Sequence, residues 1–260
     1  MTFEDLMNNY QAYLLVFARV FGIFAFNPIF SRRNMPSIVK IGATVALTLV
    51  IAMSAINNVH VEYDSLPLLA VAFFKEGIIG VILGFITQLF LSTLLVGGEL
   101  MDMQSGLGMA SIYDPASGVQ MPLFGSVMTY MFLMYFFITD CHLSYIKIFA
   151  ISYDFVPVGW KNFNPDVAVV LVNYFGTVLA LALKLAVPLV LAQLLLEFCA
   201  GILMKAVPQI QVMQVNIQIK LLFGLFLLFI LAAPLSDAID KYMQILTDNL
   251  TGILPSLIKK

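Results

Sequence analysis

Few residues of this 260-residue chain have the types and spacing that catalysis or metal binding requires. His60 and His142 lie in unrelated connections between apolar runs, and neither has carboxylates at the spacing of a metal site. Cys141, His142 and Ser144 could supply a nucleophilic pair, but one set of sequence neighbours is weak support for catalysis. No phosphate-binding loop ending in Gly-Lys-Ser or Gly-Lys-Thr occurs in the sequence. The sequence therefore predicts a protein that is not an enzyme and uses no cofactor and no metal.

Charged residues inside long apolar runs are a second set of candidate functional residues. Lys75 and Glu76 stand near the start of a predicted helix, where an ion pair at the membrane interface is the favoured interpretation. Lys184 and Glu197 lie 13 residues apart on one predicted helix. This is too far for a direct pair, because helical neighbours are three or four residues apart. Each charge has to face protein, water or another subunit, since lipid disfavours it. We favour a function in contacts with other subunits over a function in proton relay for both residues.

The Gly/Met stretch, residues 97–122, has the sequence GGELMDMQSGLGMASIYDPASGVQMP. It lies between two apolar runs and holds five glycines, four methionines and three acidic residues, but no Lys or Arg. Glycine allows close backbone packing, methionine fills irregular apolar space, and Asp114–Pro115 predicts a turn. One interpretation is a glycine-rich helix end followed by a re-entrant turn. The other is a deformable constriction inside a conduit, since irregular backbone at membrane depth requires cover from protein or from a water-filled cavity.

The composition is typical of integral membrane proteins. Hydrophobic residues make up 61% of the chain and charged residues 11%, and the mean hydropathy is +0.97. A soluble chain of this size would carry about twice as much charge. The net charge of −2 argues against a nucleic-acid partner. The isolated Cys141 and Cys199 suggest neither a disulfide framework nor a zinc site.

Six main helical units follow from the apolar runs, since roughly 20 apolar residues suffice to cross a bilayer as a helix. The run 68–96 is too long for one upright crossing, so we expect it to tilt, to break near Gly77, Gly80 and Gly84, or to extend beyond the lipid. A half-apolar piece at 143–156 and a polar, amphipathic tail at 236–260 accompany these runs. The predicted units are 10–26, 38–56, 68–96, 123–139, 167–204 and 219–234.

The distribution of basic residues predicts the orientation in the membrane. The first linker carries Arg32 and Arg33, with Lys40 following, and basic residues favour the cytoplasmic side. Both chain ends are then predicted to lie outside, and the uncharged, glutamine-rich connection at 206–218 is predicted to lie in the cytoplasm. The basic residues of the carboxyl-terminal tail do not fit this simple topology.

Several sets of residues resemble the motifs of one protein family. They are GELMDMQSGLGMASIYDP at 98–115, KEGIIGVILGF at 75–85, the opening residues Arg19, Pro28, Pro36 and Lys40, and the closing residues Leu196, Glu197, Gly201, Pro208, Gln209, Lys220 and Gly224. These patterns are similar to those of the FliR/SctT family, the flagellar export-gate proteins and their type III secretion counterparts. Gln211–Val212–Met213 departs from the family, which more often has Asn-Val-Phe there.

The resemblance implies an all-α integral membrane protein with about six long, bent helical units, a re-entrant Gly/Met-rich plug loop and a carboxyl-terminal helical hairpin. It also implies assembly with P-type and Q-type subunits (FliP and FliQ) and a B-type subunit (FlhB), at the flagellar basal body in the bacterial inner membrane. Unfolded exported proteins would pass through that complex. By the same resemblance, residues 1–166 are similar to a P-type subunit and include the plug, while residues 167–260 are similar to a Q-type subunit.

We predict a pore plug in the Gly/Met stretch, because a hydrophobic constriction closes by dewetting and flexible side chains yield to varied substrates. Its residues are Gln104, Gly106, Gly108, Met109, Asp114, Pro115 and Gly118. Subunit contacts are predicted at Lys184, Glu197, Pro208, Gln209, Gln211 and Lys220. The alternative function, an independent small-molecule transporter, would be expected to have inverted halves around a midplane site. The two halves of this sequence do not look alike.

Overall fold

Helices make up nearly all of the chain that the computed structural model describes, which is residues 9–30, 36–55, 63, 65–105, 123–159, 167–206 and 212–257. These ranges contain no β-strand, and the prediction of an all-α protein is confirmed. A short 3-10 helix at Leu254–Leu257 follows the last α-helix. The α-helices are α1 (Tyr10–Phe26), α2 (Ser37–Ala55), α3 (Leu66–Ser105), α4 (Leu123–Ile138), α5 (Cys141–Phe155), α6 (Val167–Ala206) and α7 (Val212–Ile253).

Three of these helices are longer than the apolar runs that predicted them. α3 and α6 contain 40 residues each, and α7 contains 42. α3 continues unbroken past Gly77, Gly80 and Gly84 to Ser105, so the first nine residues of the Gly/Met stretch are helical. α7 continues to Ile253, so most of the predicted polar tail is helical as well. The described residues therefore contain seven α-helices where six units were predicted.

Two helices of the described chain are long and apolar enough to cross a membrane, or three spans exist if α4 and α5 form one broken span. The two are α3, with a mean hydropathy of 2.2, and the Val167–Leu203 part of α6, with 2.3. The two helices differ in burial. In α3, 67% of the most apolar part is buried inside the chain, whereas in α6 only 33% of the corresponding part is buried. Most of this apolar part of α6 is therefore left for lipid or for another protein.

The helices fold into two compact units, each assembled from separated parts of the chain. The first unit consists of Met1–Phe90, Thr139–Phe175 and Met243–Lys260, and the second of Leu91–Ile138 and Gly176–Tyr242. The proposed likeness of residues 1–166 and 167–260 to two subunit types concerns sequence relationship, and it stays a prediction.

Glycines bring α1 and α3 into backbone contact in the first unit. A Cβ atom at Gly22 would lie 2.5 Å from the carbonyl oxygen of Gly77, and one at Gly84 would lie 2.7 Å from that of Ile23. Between them, Gly80 contacts the carbonyl oxygen of Arg19. Small residues at helical spacing are the usual means by which membrane helices approach this closely. The three glycines of α3 thus form a packing face, which explains why the helix does not break there.

A buried ion pair joins the same two helices. Arg19 Nε donates to Glu76 Oε2 at 2.7 Å, and the two side chains are 0% and 2% exposed. Glu76 Oε1 accepts a second hydrogen bond from the backbone N–H of Gly159 at 2.9 Å. Glu76 therefore lies in the core, which corrects the interpretation of Lys75 and Glu76 as an interfacial pair. Outside the helices, burial raises the pKa of the Tyr63 phenol, and the negative charge of Glu76 raises it further.

The remaining donors of Arg19 hold the carboxyl end of α5. Its Nη1 donates to the carbonyl oxygen of Ser152 at 3.1 Å, and its Nη2 donates to that of Val156 at 2.8 Å. The guanidinium carbon lies 4.0 Å from the ring centroid of Tyr153, a cation–π arrangement. The free carbonyls at a helix end carry partial negative charge, which favours a cation there. One side chain thus ties α1, α3 and α5 together.

Candidate functional site

The second unit holds the two helices that enter and leave the Gly/Met stretch. α3 leads into residues 106–122 and α4 begins directly after them. The backbones of the two helices touch at Gly98, where a Cβ atom would overlap the backbone of Gly125 and Phe124. Only glycine allows this approach. The chain therefore leaves α3 and enters α4 where the two helices lie against each other.

Asp102 connects α3 to the start of α4. Its carboxylate oxygens each lie 3.3 Å from the backbone nitrogen of Phe124, whose N–H they accept. Phe124 is the second residue of α4, where backbone N–H groups have no partner within the helix. A carboxylate satisfies such a group and also interacts favourably with the positive end of the helix dipole. Asp102 is only 6% exposed, so this cap is an internal contact of the unit.

Gln193 of α6 holds the carboxyl end of α3. Its Nε2 donates to Ser105 Oγ at 2.7 Å, and the Ser105 hydroxyl donates to the carbonyl oxygen of Met101 at 2.7 Å. Both Gln193 and Ser105 are fully buried. The Oε1 atom of Gln193 has no hydrogen-bond partner among the described residues. Ser105 is the last residue of α3, so the helix ends at a position fixed by a hydrogen bond to another helix.

Gly224 of α7 lies against the same residues of α3, α4 and α6. A Cβ atom there would lie 2.8 Å from Gln193 Nε2, 3.1 Å from Phe124 Cζ and 3.4 Å from Ser105 Oγ. Four helices therefore meet at one point, with glycine as the only residue small enough for α7. We name Asp102, Ser105, Phe124, Gln193 and Gly224 the anchor cluster, because these residues fix both ends of the segment 106–122.

A second polar group lies beside the end of α3. Lys220 Nζ lies 3.0 Å from Glu197 Oε1, and Gln104 Nε2 donates to Glu197 Oε2 at 3.2 Å. The Lys220 side chain is 12% exposed and that of Glu197 is 48% exposed. About half of the Glu197 side-chain surface is thus accessible to solvent, so the pair is screened and its direct contribution to stability is small.

The structure brings some of the predicted site residues together. Glu197 and Lys220, both predicted as subunit contacts, pair with each other, and Gln104, predicted in the plug, bonds to Glu197. Lys184 is exposed on α6. Their contacts with other subunits stay predictions. The remaining predicted residues, Gly106, Gly108, Met109, Asp114, Pro115, Gly118, Pro208, Gln209 and Gln211, lie outside the described residues.

Sequence reasoning placed Ser105 inside the predicted plug range 104–120 without a role of its own, and it assigned no function to Gln193. One signal for Gln193 was available, since an amide inside an apolar helix usually bonds to another helix. Its partner could not be read from spacing, because Ser105 lies 88 residues away in sequence. Asp102 was noted only as one of three acids in the Gly/Met stretch, and its capping of α4 depends on the contact of α3 with α4.

Long apolar helices, joined by glycine contacts and by a few buried polar bonds, define this molecule as an all-α integral membrane protein. A sequence model described as "Bacterial export proteins, family 1" matches residues 10–246. The chain belongs to this family.

Curated relatives match the chain over nearly its whole length. The flagellar biosynthetic protein FliR of Escherichia coli (strain K12) is 27% identical over 100% of this chain and 97% of its own length. The FliR protein of Bacillus subtilis (strain 168) is 24% identical over 96% of this chain and 97% of its own length. The Yop proteins translocation protein T of Yersinia pestis is 27% identical over 95% of each chain.

Proposed function

We propose that this chain is a subunit of a flagellar type III protein-export gate and forms part of the channel through which unfolded proteins cross the bacterial inner membrane. Its membership of a bacterial export family supports this proposal, as do full-length relatives named for flagellar biosynthesis. The relative named for Yop translocation has the same identity, 27%, as the Escherichia coli protein. The flagellar and the Yop-translocation relatives are thus equally similar to this chain. Nothing in these relatives favours a small-molecule transporter.

The anchor cluster is the observation that supports a gate within this chain. The 17 residues from 106 to 122 leave from Ser105 and return at Leu123, and the anchor cluster fixes both points. A segment held this way can change its own conformation without moving the helices that carry it. Within it, Gly106, Gly108, Met109, Asp114, Pro115 and Gly118, together with Gln104 before it, are the proposed plug residues.

The proposed partners are P-type, Q-type and B-type export subunits (FliP, FliQ and FlhB). The exposed apolar face of α6 supports an assembly of this kind, because only 33% of the most apolar part of that helix is covered within the chain. We assign the chain a structural function in the channel and no catalytic step.

Co-purification from the native membrane tests the assembly. The full chain, tagged at one end, is extracted in mild detergent, and its partners are identified by mass spectrometry. We expect the other export subunits in constant proportion, and we expect the chain expressed without them to aggregate or be degraded. A stable monomer that carries no export subunit would contradict the proposal.

Deletion of residues 106–118 tests the plug. Residues 119–122 would then join Ser105 to Leu123, and four extended residues span at most about 14 Å. Ser105 and Phe124 both contact the position of Gly224, so this connection is long enough to leave the anchor cluster in place. We expect the complex to assemble and to conduct small ions when reconstituted in liposomes, because a hydrophobic constriction has been removed.

The matched control replaces residues 106–118 by 13 residues of Gly and Ser, which keeps the length of the segment and removes its apolar side chains. This control should leak as well, if packing of apolar side chains makes the seal. An assembled deletion variant that exports normally and conducts no more ions than the unmodified complex would show that the plug lies elsewhere.

A further inference from the structure

We propose that a groove between α1 and α2 binds an acyl chain of a phospholipid whose headgroup carries an ammonium cation, as phosphatidylethanolamine does. All residues that line this groove belong to the first unit. The inference goes beyond the proposed function and does not depend on it, because it requires only a membrane protein whose exposed apolar surface meets lipid.

The groove is apolar along its length. Its volume is about 300 Å³, and the residues that line it are Tyr10, Tyr13, Leu14 and Phe17 of α1 and Val45, Thr48 and Leu49 of α2. None of these residues is charged. The Thr48 hydroxyl donates to the carbonyl oxygen of Thr44 in its own helix at 2.7 Å, so its donor is already used. The polar groups left in the lining are the phenols of Tyr10 and Tyr13, at the end where α1 begins.

The size of the groove suits a hydrocarbon chain and is too small for a helix. From Tyr10 to Phe17 it follows α1 for about 10 Å, at a rise of about 1.5 Å per residue. A helix about 10 Å wide would occupy about 800 Å³ over that length, which is more than the groove offers. A methylene group takes about as much space as a water molecule, about 30 Å³, so the groove holds about ten methylene groups.

The groove is continuous with a larger exposed apolar surface. Leu14 and Val45, on its two sides, are 40% and 43% exposed. Farther along α2, the side chains of Ile41, Val50 and Met53 are all more than half exposed. A contiguous apolar surface of this kind is typical of contact with a membrane or with another protein, and the volume of the groove favours the acyl chain.

One end of the groove is connected to an acidic part of the chain. Gln11 donates from Nε2 to the Tyr10 hydroxyl at 3.2 Å and to the carbonyl oxygen of Tyr63 at 3.3 Å. The backbone N–H of Tyr63 donates to Gln11 Oε1 at 2.8 Å. Tyr63 is flanked in sequence by Glu62 and Asp64. The connection that carries these two carboxylates is therefore tied to the end of the groove where Tyr10 lies.

The charges around this end select the headgroup. Glu4 and Asp5 precede Tyr10 by six and five residues, and neither residues 1–18 nor residues 41–74 contain a Lys or Arg. Anionic lipids are attracted by clusters of basic residues, which are missing from both sequence ranges. Carboxylates attract an ammonium group, and the face of a tyrosine ring binds it as well. A lipid with an ammonium cation thus matches the groove at both ends.

The first test compares two variants with the same substitution on the same helix. Val45→Trp fills the groove, and Val50→Trp, at an exposed position of α2 outside its lining, is the matched control. The native complex carrying each variant is reconstituted in vesicles of equal parts phosphatidylethanolamine and phosphatidylglycerol, re-extracted, and its retained lipid is quantified by mass spectrometry. We expect Val45→Trp to retain about one phosphatidylethanolamine fewer per chain than Val50→Trp. Equal retention by the two variants would overturn the proposal.

The second test identifies the occupant directly. A photoreactive benzoylphenylalanine in place of Leu49, within the groove, should form a link to phospholipid in the native complex, with phosphatidylethanolamine preferred about fivefold or more over phosphatidylglycerol. A link to another export subunit, to a second copy of this chain or to residues 1–8 would show a protein occupant and overturn the proposal.

A third variant separates recognition of the headgroup from packing of the acyl chain. Glu62→Gln combined with Asp64→Asn removes two carboxylates and should reduce the preference for phosphatidylethanolamine at least twofold while the groove still binds lipid. An unchanged preference, or a preference of the unmodified complex for phosphatidylglycerol, would refute the assigned headgroup. These readouts count lipid and not export, so a failure here is distinct from a failure of the proposed function.

Discussion

Substitution of Glu76 by Gln tests whether the buried ion pair determines the stability of the first unit. The amide keeps the size of the side chain and an acceptor oxygen, but it removes the negative charge. The guanidinium of Arg19, which is 0% exposed, would then lie in the core without a counter-charge. Its remaining partners are two carbonyl oxygens, the Ser152 hydroxyl and the ring of Tyr153.

Loss of one member of a buried ion pair costs about 3–5 kcal/mol. We expect a decrease of about 3 kcal/mol in the free energy of unfolding, at the lower end of that range, because the carbonyls and the aromatic ring still stabilise the cation. Replacement of both residues, Arg19→Met with Glu76→Leu, should cost less than the sum of the two single changes, since no charge remains buried. The difference should be about 1–3 kcal/mol.

The assay is denaturant unfolding of the purified complex, followed through the circular dichroism of its helices. Lys147→Met is the matched control, because Lys147 is an exposed cation of α5 in the same unit, and we expect a change within about 0.5 kcal/mol. Two results would refute the reasoning: a Glu76→Gln variant as stable as the unmodified protein, or a double variant whose loss equals the sum of the single losses.

Two further predictions concern the second unit and the orientation of the chain. Gly224→Ala should lower the free energy of unfolding by about 1–3 kcal/mol, because the added Cβ atom would lie 2.8 Å from Gln193 Nε2. The same unfolding assay measures it, and Gly176→Ala, where a Cβ atom meets nothing within 4 Å, is its control. Gln211→Cys should react with a membrane-impermeant maleimide from the cytoplasm, as the positive-inside rule predicts. Reaction only from the outer face would reverse the topology.

Helices with clear ends were predicted well from sequence. The run 10–26 matches α1, and the run 38–56 matches α2 within one residue at each end, because an apolar run stops at Asn27–Pro28 and another begins after Pro36. The predicted ranges of the longer helices were too short, because hydropathy measures the length of an apolar run and not the length of a helix. The residues Glu99, Leu100 and Met101 are good helix formers, so α3 continues although its apolar run has ended.

The contacts of the site were harder to predict than its location. The glycines and acids of the Gly/Met stretch marked the region of the chain, and the structure does place the anchor cluster at its two ends. The partners Gln193 and Gly224 lie on helices far away in sequence, and one sequence contains no information on which faces of two helices meet. Likewise, Arg19 pairs with Glu76 across 57 positions, a distance at which spacing rules do not apply.

The anchor cluster also has a consequence for variation and engineering of this protein. Because both ends of the segment 106–122 are fixed by buried contacts, a change in its length leaves the helix packing untouched. Doubling the length of such a closed segment costs only about 0.6 kcal/mol in chain entropy. Insertions between Ser105 and Leu123, such as a short epitope or a cysteine-bearing reporter, should therefore be tolerated by the fold. The same insertion two residues earlier, inside α3, would rotate Ser105 away from Gln193 and separate the helices that the cluster joins.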